Sequence, residues 1–478
     1  MSSLRDLREF IRKVQDLGEC KLIEGADWNL EIGTLNAWQT SLPNSPMLLF
    51  DKIKGYPAGY RVLANLFATD KRTALALGLP LDVKGVDLVK AWREKMKGGI
   101  KPIPPVEVKT GPVKENIQVG EEVDLFKFPT PKWNEFDGGR YIGTGNLVIT
   151  RDPDEGWVNL GTYRVQIHEK NIATIYMSPG RHGDIMRRKY WAKGKSCPAI
   201  VTCGQEPMLF APAHLSIPWG MSEYDYTGWM KGEPVEVTKG VITDLPIPAT
   251  AEIALEGEIM PPEVDSHEEG PFGEWTGYYG SAERPEPTFR VKAVLHRNDP
   301  IIQGNPPTIP YKFALGPNLR RAGMIWDELD RHLPGVKGVW VLDEAQGPSI
   351  AVVSIKQMYP GHAKQAAMVT AGNSAVAYLC RWIIIVDDDI DPSNITDLLW
   401  CLGTRTYPEN VEVLKECWGS LLDPTLPPEK RRTGDTTHST GIIIACKPYH
   451  WIDKFPRSIK VNPKLIEEAK RKWGKYFE

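Results

Sequence analysis

Between Asn159 and His182 the chain reads NLGTYRVQIHEKNIATIYMSPGRH, which sets an amide, an arginine, a glutamine and a histidine around what reads as one strand pair. A later segment, Glu269-Gly-Pro-Phe-Gly-Glu274, adds two carboxylates. Arginine, paired acids and an Asn/His donor set are the equipment of an acid–base enzyme. In Tyr163-Arg-Val-Gln-Ile-His168, alternation puts Arg164, Gln166 and His168 on one strand face. That face is either solvated or the polar interior of a closed barrel, and the local sequence leaves both open. In a barrel, a guanidinium suits a planar carboxylate, which it grips through two parallel hydrogen bonds.

The other candidates carry bland readings beside the sharp ones. His182 follows Ser178-Pro-Gly-Arg181 at a strand end, where it is a ligand or a cap. Asn159 lies in Gly156-Trp-Val-Asn-Leu-Gly161, a context in which Asn is most often a turn former. Glu223, after Ser222, reads as a carboxylate in the first turn of a helix. The spacing of these three establishes no metal site. The glycines and proline between Glu269 and Glu274 place both acids on a loop, either solvated or closed over an arginine. In a closed pocket, paired acids can have separated pKa values, and one can donate a proton near neutrality. Lys356 follows a strand and reads as a phosphate ligand or as plain surface. The run Asp387–Asp391 does not match an EF-hand and reads as a strand-end cap. Neither G-x-G-x-x-G nor a Walker A motif occurs.

Three textures position these residues. Residues 3–17 have a helical period, Met47–Phe50 reads as a strand, Thr69 caps a helix running to Gly78, and Val86–Met96 is a second helix. A Gly/Pro linker at 98–105 closes the first region. From 123 to about 310 short strands predominate: Tyr141–Thr150, Tyr163–His168, Asn171–Met177, Ala199–Cys203, Val235–Val237, Thr250–Glu256 and Phe289–His296. One helix interrupts them at Gly183–Ala192. This pattern predicts a barrel or split barrel. From 311 strands and helices alternate: helix Leu319–Leu333, strands Val336–Leu342 and Ser349–Ile355, helix Gly361–Ala377, strand Trp382–Val386, and a helix around Ile395–Leu402. Residues 423–445 read as loop-rich and 463–478 as an amphipathic helix. The expected fold class is therefore multidomain α+β: an α/β region over 1–105, a split β-barrel over 106–310 and a C-terminal α/β domain over 311–478.

Composition narrows the function classes. The 478 residues exceed one ordinary core, so two to four domains are expected. A formal charge of -3 without a basic tract offers no nucleic-acid surface. No apolar run reaches the length of a membrane span, and the charged start MSSLRDLREFIRKVQD is no secretory signal. Seven cysteines, an odd number with no C-x-x-C, fit reduced thiols and a cytoplasmic setting.

Taken together, the motifs resemble the UbiD family of reversible aromatic and α,β-unsaturated acid decarboxylases. The matches are Asn-Leu-Gly-Thr-Tyr-Arg-Val-Gln at 159–166, Ser-Pro-Gly-Arg-His at 178–182, Ser-Glu-Tyr-Asp-Tyr-Thr-Gly at 222–228, Glu-Gly-Pro-Phe-Gly-Glu-Trp-Thr-Gly-Tyr-Tyr at 269–279 and Ile-Lys-Gln-Met-Tyr-Pro-Gly-His at 355–362. They span essentially the whole chain. The resemblance implies a flavin-reductase-like split barrel that binds prenylated FMN, a cofactor made by a separate flavin prenyltransferase. It implies that Asn159, His182 and Glu223 hold Mn²⁺ or Mg²⁺ at the cofactor phosphate, with K⁺ beside it, and that Lys356 lies on the phosphate side. Thr162, Tyr163, Arg164, Gln166 and Arg181 are implied cofactor contacts. Arg164, Glu269 and Glu274 are the implied catalytic set: Arg164 orients the substrate carboxylate, Glu269 tunes it, and Glu274 carries the proton.

The implied substrate is a small aromatic acid that yields CO₂. The phenolic acid branch fits best, with heteroaromatic or aromatic acyl-CoA acids as alternatives. His296, Arg297, Thr436, Thr437 and His438 are candidate readers of ring substituents. The implied assembly is a homodimer or hexamer, with an accessory small subunit in some relatives. A reading of another class is a non-catalytic flavin-binding subunit of a carboxylase complex.

Overall fold

Leu7, Phe10, Ile11 and Val14 recur at helical spacing, and in the computed structural model of the chain all four are buried on the helix Leu7–Asp16. The structure describes residues 4–42, 44–214, 217–280, 283–309 and 315–476. Asp6 caps this first helix by accepting from the Glu9 backbone N–H at 2.8 Å. Thr69 caps the helix Asp70–Leu77 in the same way, and Gly78 ends it in the left-handed conformation, φ +63°. The helix Gly85–Lys95 follows. The expected C-terminal helix runs over Pro463–Trp473, and its last two expected residues lie outside the described ones.

The central region is one ten-stranded sheet. Its main path runs Arg140–Gly143, Arg164–Glu169, Ile172–Tyr176, Arg284–His296, Ile253–Ile259, Cys197–Cys203, Asn146–Arg151, Val158–Gly161. Every pairing along it is antiparallel. The first and seventh strands of this path are joined by Thr144 and Gly145 alone. A link that short spans under about 12 Å, so the sheet must curl until its far strands return beside its first. Cys203 Sγ, 3.4 Å from the Ile142 carbonyl oxygen, marks that return. No ladder joins Arg140–Gly143 to Val158–Gly161 among the described residues, so the architecture is a curled antiparallel sheet.

The same junction corrects an expectation. Tyr141–Thr150 is two strands because Gly143 and Gly145 are points of close approach. A Cβ on Gly143 would lie 2.6 Å from the Val165 side chain, and one on Gly145 2.7 Å from the Gln303 carbonyl oxygen. The bulge between Glu256 and Gly257 has a similar cause, since a Cβ on Gly257 would sit 2.0 Å from the Arg290 carbonyl oxygen.

Three further sheets accompany the central one, the smallest formed by Pro246–Pro248, Glu236–Lys239 and Val106–Glu107. Cys20–Glu24, Met47–Asp51 and Arg61–Ala64 form a sheet completed by Ile301–Gln303 from the end of the central region. In the C-terminal region the order is Val336–Val341, Ile350–Ile355, Trp382–Asp387, His438–Ala445, Glu412–Cys417, parallel at the centre and antiparallel at both edges. Its apolar core also takes in Leu77, Leu88, Val89 and Trp92 from the N-terminal helices. The expected helix Gly361–Ala377 divides at Gly372 and Asn373, and Asn373 caps a new turn. Residues 423–445, read as loop, contain the helix Pro428–Thr433 and the buried strand His438–Ala445. All seven cysteines are free thiols, and no described helix is long and apolar enough to cross a membrane.

The first helix is fastened to the central sheet by a buried carboxylate. Glu252 accepts from Arg8 Nε at 2.8 Å and Arg8 Nη2 at 2.7 Å, while Arg297 Nη1 approaches at 3.4 Å and also reaches Asp6 at 3.0 Å. Removing the acid leaves Arg297 short of its counter-charge in a site with little water. Glu252→Ala is expected to cost about 3 kcal/mol of stability, read as a lower denaturation midpoint. An unchanged midpoint would show that the clamp does not hold the helix.

Candidate active site

Arg164 opens the strand Arg164–Glu169 and pairs across the sheet with Tyr176, while Gln166 pairs with Thr174 on one side and Tyr141 on the other. Alternation then gives one face Arg164, Gln166, Tyr141, Thr174 and Tyr176. This face is not solvated: Arg164 is 8% exposed, and Tyr141 and Thr174 are fully buried.

Both acids reach that face from one hairpin. The strand Ser266–Glu269 pairs with the start of Arg284–His296, and the loop between them carries Glu274. Glu269 is therefore the last residue of a strand and fully buried, which corrects the expectation of a loop position. It receives Arg164 Nε at 2.7 Å on one oxygen and Nη2 at 2.8 Å on the other. Glu274 receives Arg164 Nη1. The guanidinium plane lies over the Tyr176 ring, 4.3 Å from its centroid, with Phe272 5.4 Å away. Tyr141 Oη donates toward Gln166 Oε1 at 3.0 Å and toward Glu269 Oε1 at 3.2 Å. Gln166 Oε1 also accepts the Gly270 N–H at 3.1 Å. Gln166 thus braces the turn after Glu269, and the structure does not bring it to the Asn159 cavity.

The electrostatics follow from burial around one cation. Burial opposes the charge on Arg164, but the bidentate bond to Glu269 and the nearby Glu274 carboxylate raise its pKa overall. Glu274 is pushed above the ordinary carboxylate range, chiefly by burial and then by Glu269, with Arg164 pulling the other way. A carboxyl so placed holds its proton more tightly than an exposed one.

The second cluster adjoins the Arg164–Tyr176 end of that strand pair, since its residues run up to Arg164 and follow Tyr176 in the chain. Asn159, Leu160, Gly161, Thr162, Tyr163, Gly180, Arg181, His182, Ala213 and Glu223 line one cavity of about 70 Å³. Asn159 sits within the strand Val158–Gly161, opposite Thr150, which corrects the turn expectation. His182 is the first residue of the helix His182–Ala192, between the edges of Trp157 and Trp219. Glu223 opens the helix Glu223–Lys231 behind its cap Ser222, as expected, and accepts the Leu160 N–H at 2.6 Å.

These donors fit a hard cation. Asn159 Nδ2 is buried without a partner among the described residues, so that end of its amide is unsatisfied. Burial, with Arg181 adding, holds His182 below its usual pKa and hence neutral. Burial pushes Glu223 up to about 8, and a bound cation would offset that cost. Among the described residues no three His, Cys, Asp or Glu side chains form a metal cluster. The donor set here depends on an amide oxygen, and oxygen plus imidazole suits Mn²⁺ or Mg²⁺.

The remaining candidates fall elsewhere. Lys356 is exposed at the end of Ile350–Ile355, and the structure does not bring it to either cluster. His296 packs edge-on against Phe128, and Arg297 belongs to the Glu252 clamp. Thr437 bonds Lys430 and Asp435, His438 contacts the Trp418 carbonyl, and Thr436 backs onto Gly419. None of these five touches the Arg164 face. The residues that do close it were not legible locally. Tyr141, Tyr176 and Phe272 depend on strand register and on the hairpin turn. Leu422 reaches the Gly280 position beside Glu274, and Leu421 lines a cavity of about 320 Å³ with Tyr176, Arg284 and Glu286.

The chain also matches known proteins along most of its length. Three family descriptions align in order: the N-terminal domain of 3-octaprenyl-4-hydroxybenzoate carboxy-lyase over residues 11–92, its Rift-related domain over 105–310, and its C-terminal domain over 318–446. Vanillic acid decarboxylase of Sedimentibacter hydroxybenzoicus in open form is 27% identical with a TM-score of 0.85, covering 100% of this chain and 99% of that one. Its closed form gives 28% and 0.80, covering 100% of each. The UbiD-class enzyme HmfF from Pelotomaculum thermopropionicum, in complex with FMN, is 26% identical with a TM-score of 0.86, covering 98% of this chain and 100% of that one. Apo 3,4-dihydroxybenzoic acid decarboxylase of Klebsiella pneumoniae gives 25% and 0.85, covering 99% and 100%.

The position of Glu269 depends on how closely two backbones meet. A Cβ on Gly138 would lie 1.8 Å from the Gly270 carbonyl oxygen. Gly138→Ala must displace that turn, at a cost of about 1–3 kcal/mol. The expected result is a lower urea midpoint and loss of the bidentate grip on Arg164, seen by crystallography of the variant. A variant with wild-type stability would show the contact to be slack.

Proposed function

The chain belongs to the UbiD family of carboxy-lyases, and from that membership we propose that it is a prenylated-FMN-dependent decarboxylase of a phenolic, hydroxybenzoate-type acid. The observation that carries this reading is the buried Arg164–Glu269–Glu274 set, one strand away from an Asn/His/Glu donor cavity. Asn159, His182 and Glu223 hold Mn²⁺ or Mg²⁺ with K⁺ nearby, neutralising the cofactor phosphate. Thr162, Tyr163 and Arg181 line the same seat. When bound, the modified flavin supplies an electron sink for the charge left on an sp² carbon as CO₂ departs.

The protein's own residues supply orientation and a proton. All three nitrogens of the Arg164 guanidinium donate to Glu269 or Glu274. Glu269 holds two nitrogens and Glu274 one, so an arriving substrate carboxylate displaces Glu274 more easily. Losing Arg164 removes the influence that lowers the Glu274 pKa, and burial remains. Glu274 then takes up a proton as the substrate docks. It delivers that proton to the carbon vacated by CO₂, and its carboxylate returns to Arg164. Tyr176 and Phe272 exclude water from the exchange.

The larger arrangement follows the same reading. The curled sheet serves as a flavin-reductase-like split barrel, bounded near residues 105 and 311. The greater similarity to the open vanillic acid decarboxylase than to the closed form supports an open state here. Closure then carries Lys356 toward the phosphate. A homodimer or hexamer is the working assembly, and a second component, as in the vanillic acid decarboxylase structure with truncated ShVdcD, is a candidate partner. A flavin prenyltransferase supplies the cofactor.

The test is anaerobic reconstitution with that prenyltransferase, followed by a screen of hydroxybenzoate, protocatechuate, gallate and vanillate. CO₂ release and ring H/D exchange are the readouts. Folded protein that retains flavin but exchanges no substrate proton would refute the reading. Glu274→Gln is expected to bind cofactor normally and to lose about 10²–10⁴-fold in turnover, the usual worth of a positioned acid. Because the active form of Glu274 in decarboxylation is the protonated one and its pKa is raised, kcat/KM should fall as pH rises through that pKa. Glu274→Gln should abolish this alkaline limb in any residual activity.

A further inference from the structure

Buried arginines in this protein are generally well supplied with partners. Arg72, fully buried, donates to the carbonyls of Leu66, Ser45 and Asn65 and pairs with Glu19 at 3.1 Å. Arg187 donates to Asp184 at 3.0 Å and toward two carbonyls. Arg320 differs. It lies on the helix Leu315–His332 and is 1% exposed, yet Nε, Nη1 and Nη2 all lack a hydrogen-bond partner among the described residues. A guanidinium carries five donors and stays charged, so this is a costly arrangement with nothing bound. Burial pushes its pKa down to about 9, with Tyr226 opposing and Arg321 adding.

Its surroundings connect it to the Asn159 cavity. His214 packs edge-on against Phe210 at 4.5 Å, and its Nδ1 lies 3.2 Å from the Phe210 carbonyl oxygen. Burial first, then the charge of Arg320, with Arg181 and Arg321 adding, holds His214 neutral. The residue before it, Ala213, lines the cavity together with Arg181 and Glu223. Arg320 and Arg181, from separate regions of the chain, thus both act on His214 beside the cavity.

We propose that Arg320 is the seat of a ligand oxyanion at the edge of the Asn159–His182–Glu223 cavity. The matching chemistry is a phosphate or carboxylate, whose paired oxygens fit the guanidinium fork. Two sources carry that chemistry: the phosphate of a flavin mononucleotide, or a second carboxylate on the aromatic substrate. The first source rests on the flavin reading above.

The test uses the full chain, purified without flavin, and its Arg320→Met and Arg320→Lys variants. FMN and riboflavin are titrated by fluorescence. If the phosphate is the ligand, Arg320→Met weakens FMN at least tenfold, leaves riboflavin unchanged, and Arg320→Lys recovers part of the loss. If a substrate carboxylate is the ligand, FMN is unaffected. Instead the KM of a benzene dicarboxylate rises at least tenfold against benzoate in reconstituted enzyme. Arg320→Met should also raise the ligand-free Tm, because an unpartnered buried charge is removed. A fall in Tm with both binding arms unchanged would assign Arg320 a structural role and overturn the proposal. If wild-type protein binds neither flavin, the cofactor reading fails by itself. The seat is then judged by inorganic phosphate, which must raise the wild-type Tm and not that of Arg320→Met.

Discussion

One buried cation facing two carboxylates organises the centre of this protein. Arg164 cannot shed its charge, and it is almost withdrawn from water. It must therefore be met by anions on rigid supports. The sheet supplies one from a strand end and the hairpin loop supplies another. The arrangement is asymmetric: Glu269 is gripped at both oxygens, Glu274 at one. That difference gives one acid a firmer hold than the other without any difference in residue type. Tyr141 and Gln166 brace the fixed side, so the asymmetry is built into the backbone around Gly270.

The local sequence made parts of this legible. Helical spacing found Leu7, Phe10, Ile11 and Val14, and capping chemistry found Thr69 and the helix at Glu223. Period two put Arg164 and Gln166 on one face. It could not say whether that face met water, because a curled sheet buries both sides. Asn159 illustrates the opposite failure. Asn between glycines usually forms a turn, yet here tertiary pairing with Thr150 holds it in a strand. Glu269 failed for a related reason, since its strand exists only through pairing with Arg284–Pro287. Tyr141 and Tyr176 carry no signal of their own. They are neighbours of Arg164 and Gln166 only once register is fixed. Long-range register is what local pattern does not encode.

The two clusters adjoin where Thr162 and Tyr163, which line the cavity, run into Arg164, and the C-terminal half faces both. Burial raises the Tyr378 pKa, with Arg181 and Glu274 among the groups that act on it, and its ring meets Trp418 at 5.1 Å. Leu421 and Leu422 come from the loop just beyond Trp418. A wall drawn from a separate core can move against the sheet without disturbing the Arg164 pairings. The paired acids and the wall that faces them thus belong to different regions of the chain.

The hairpin that carries both acids has a consequence for how such a protein diversifies. Glu269 is anchored by the ladder, whereas Glu274 rides on the connection that follows it. Insertions and substitutions in that connection would change where Glu274 sits and leave the Arg164–Glu269 pairing in place. The hairpin is in effect a replaceable tip on a fixed handle. Grafting tips of different length onto this handle offers a route to new acids and new ring shapes, with the sheet left as it is.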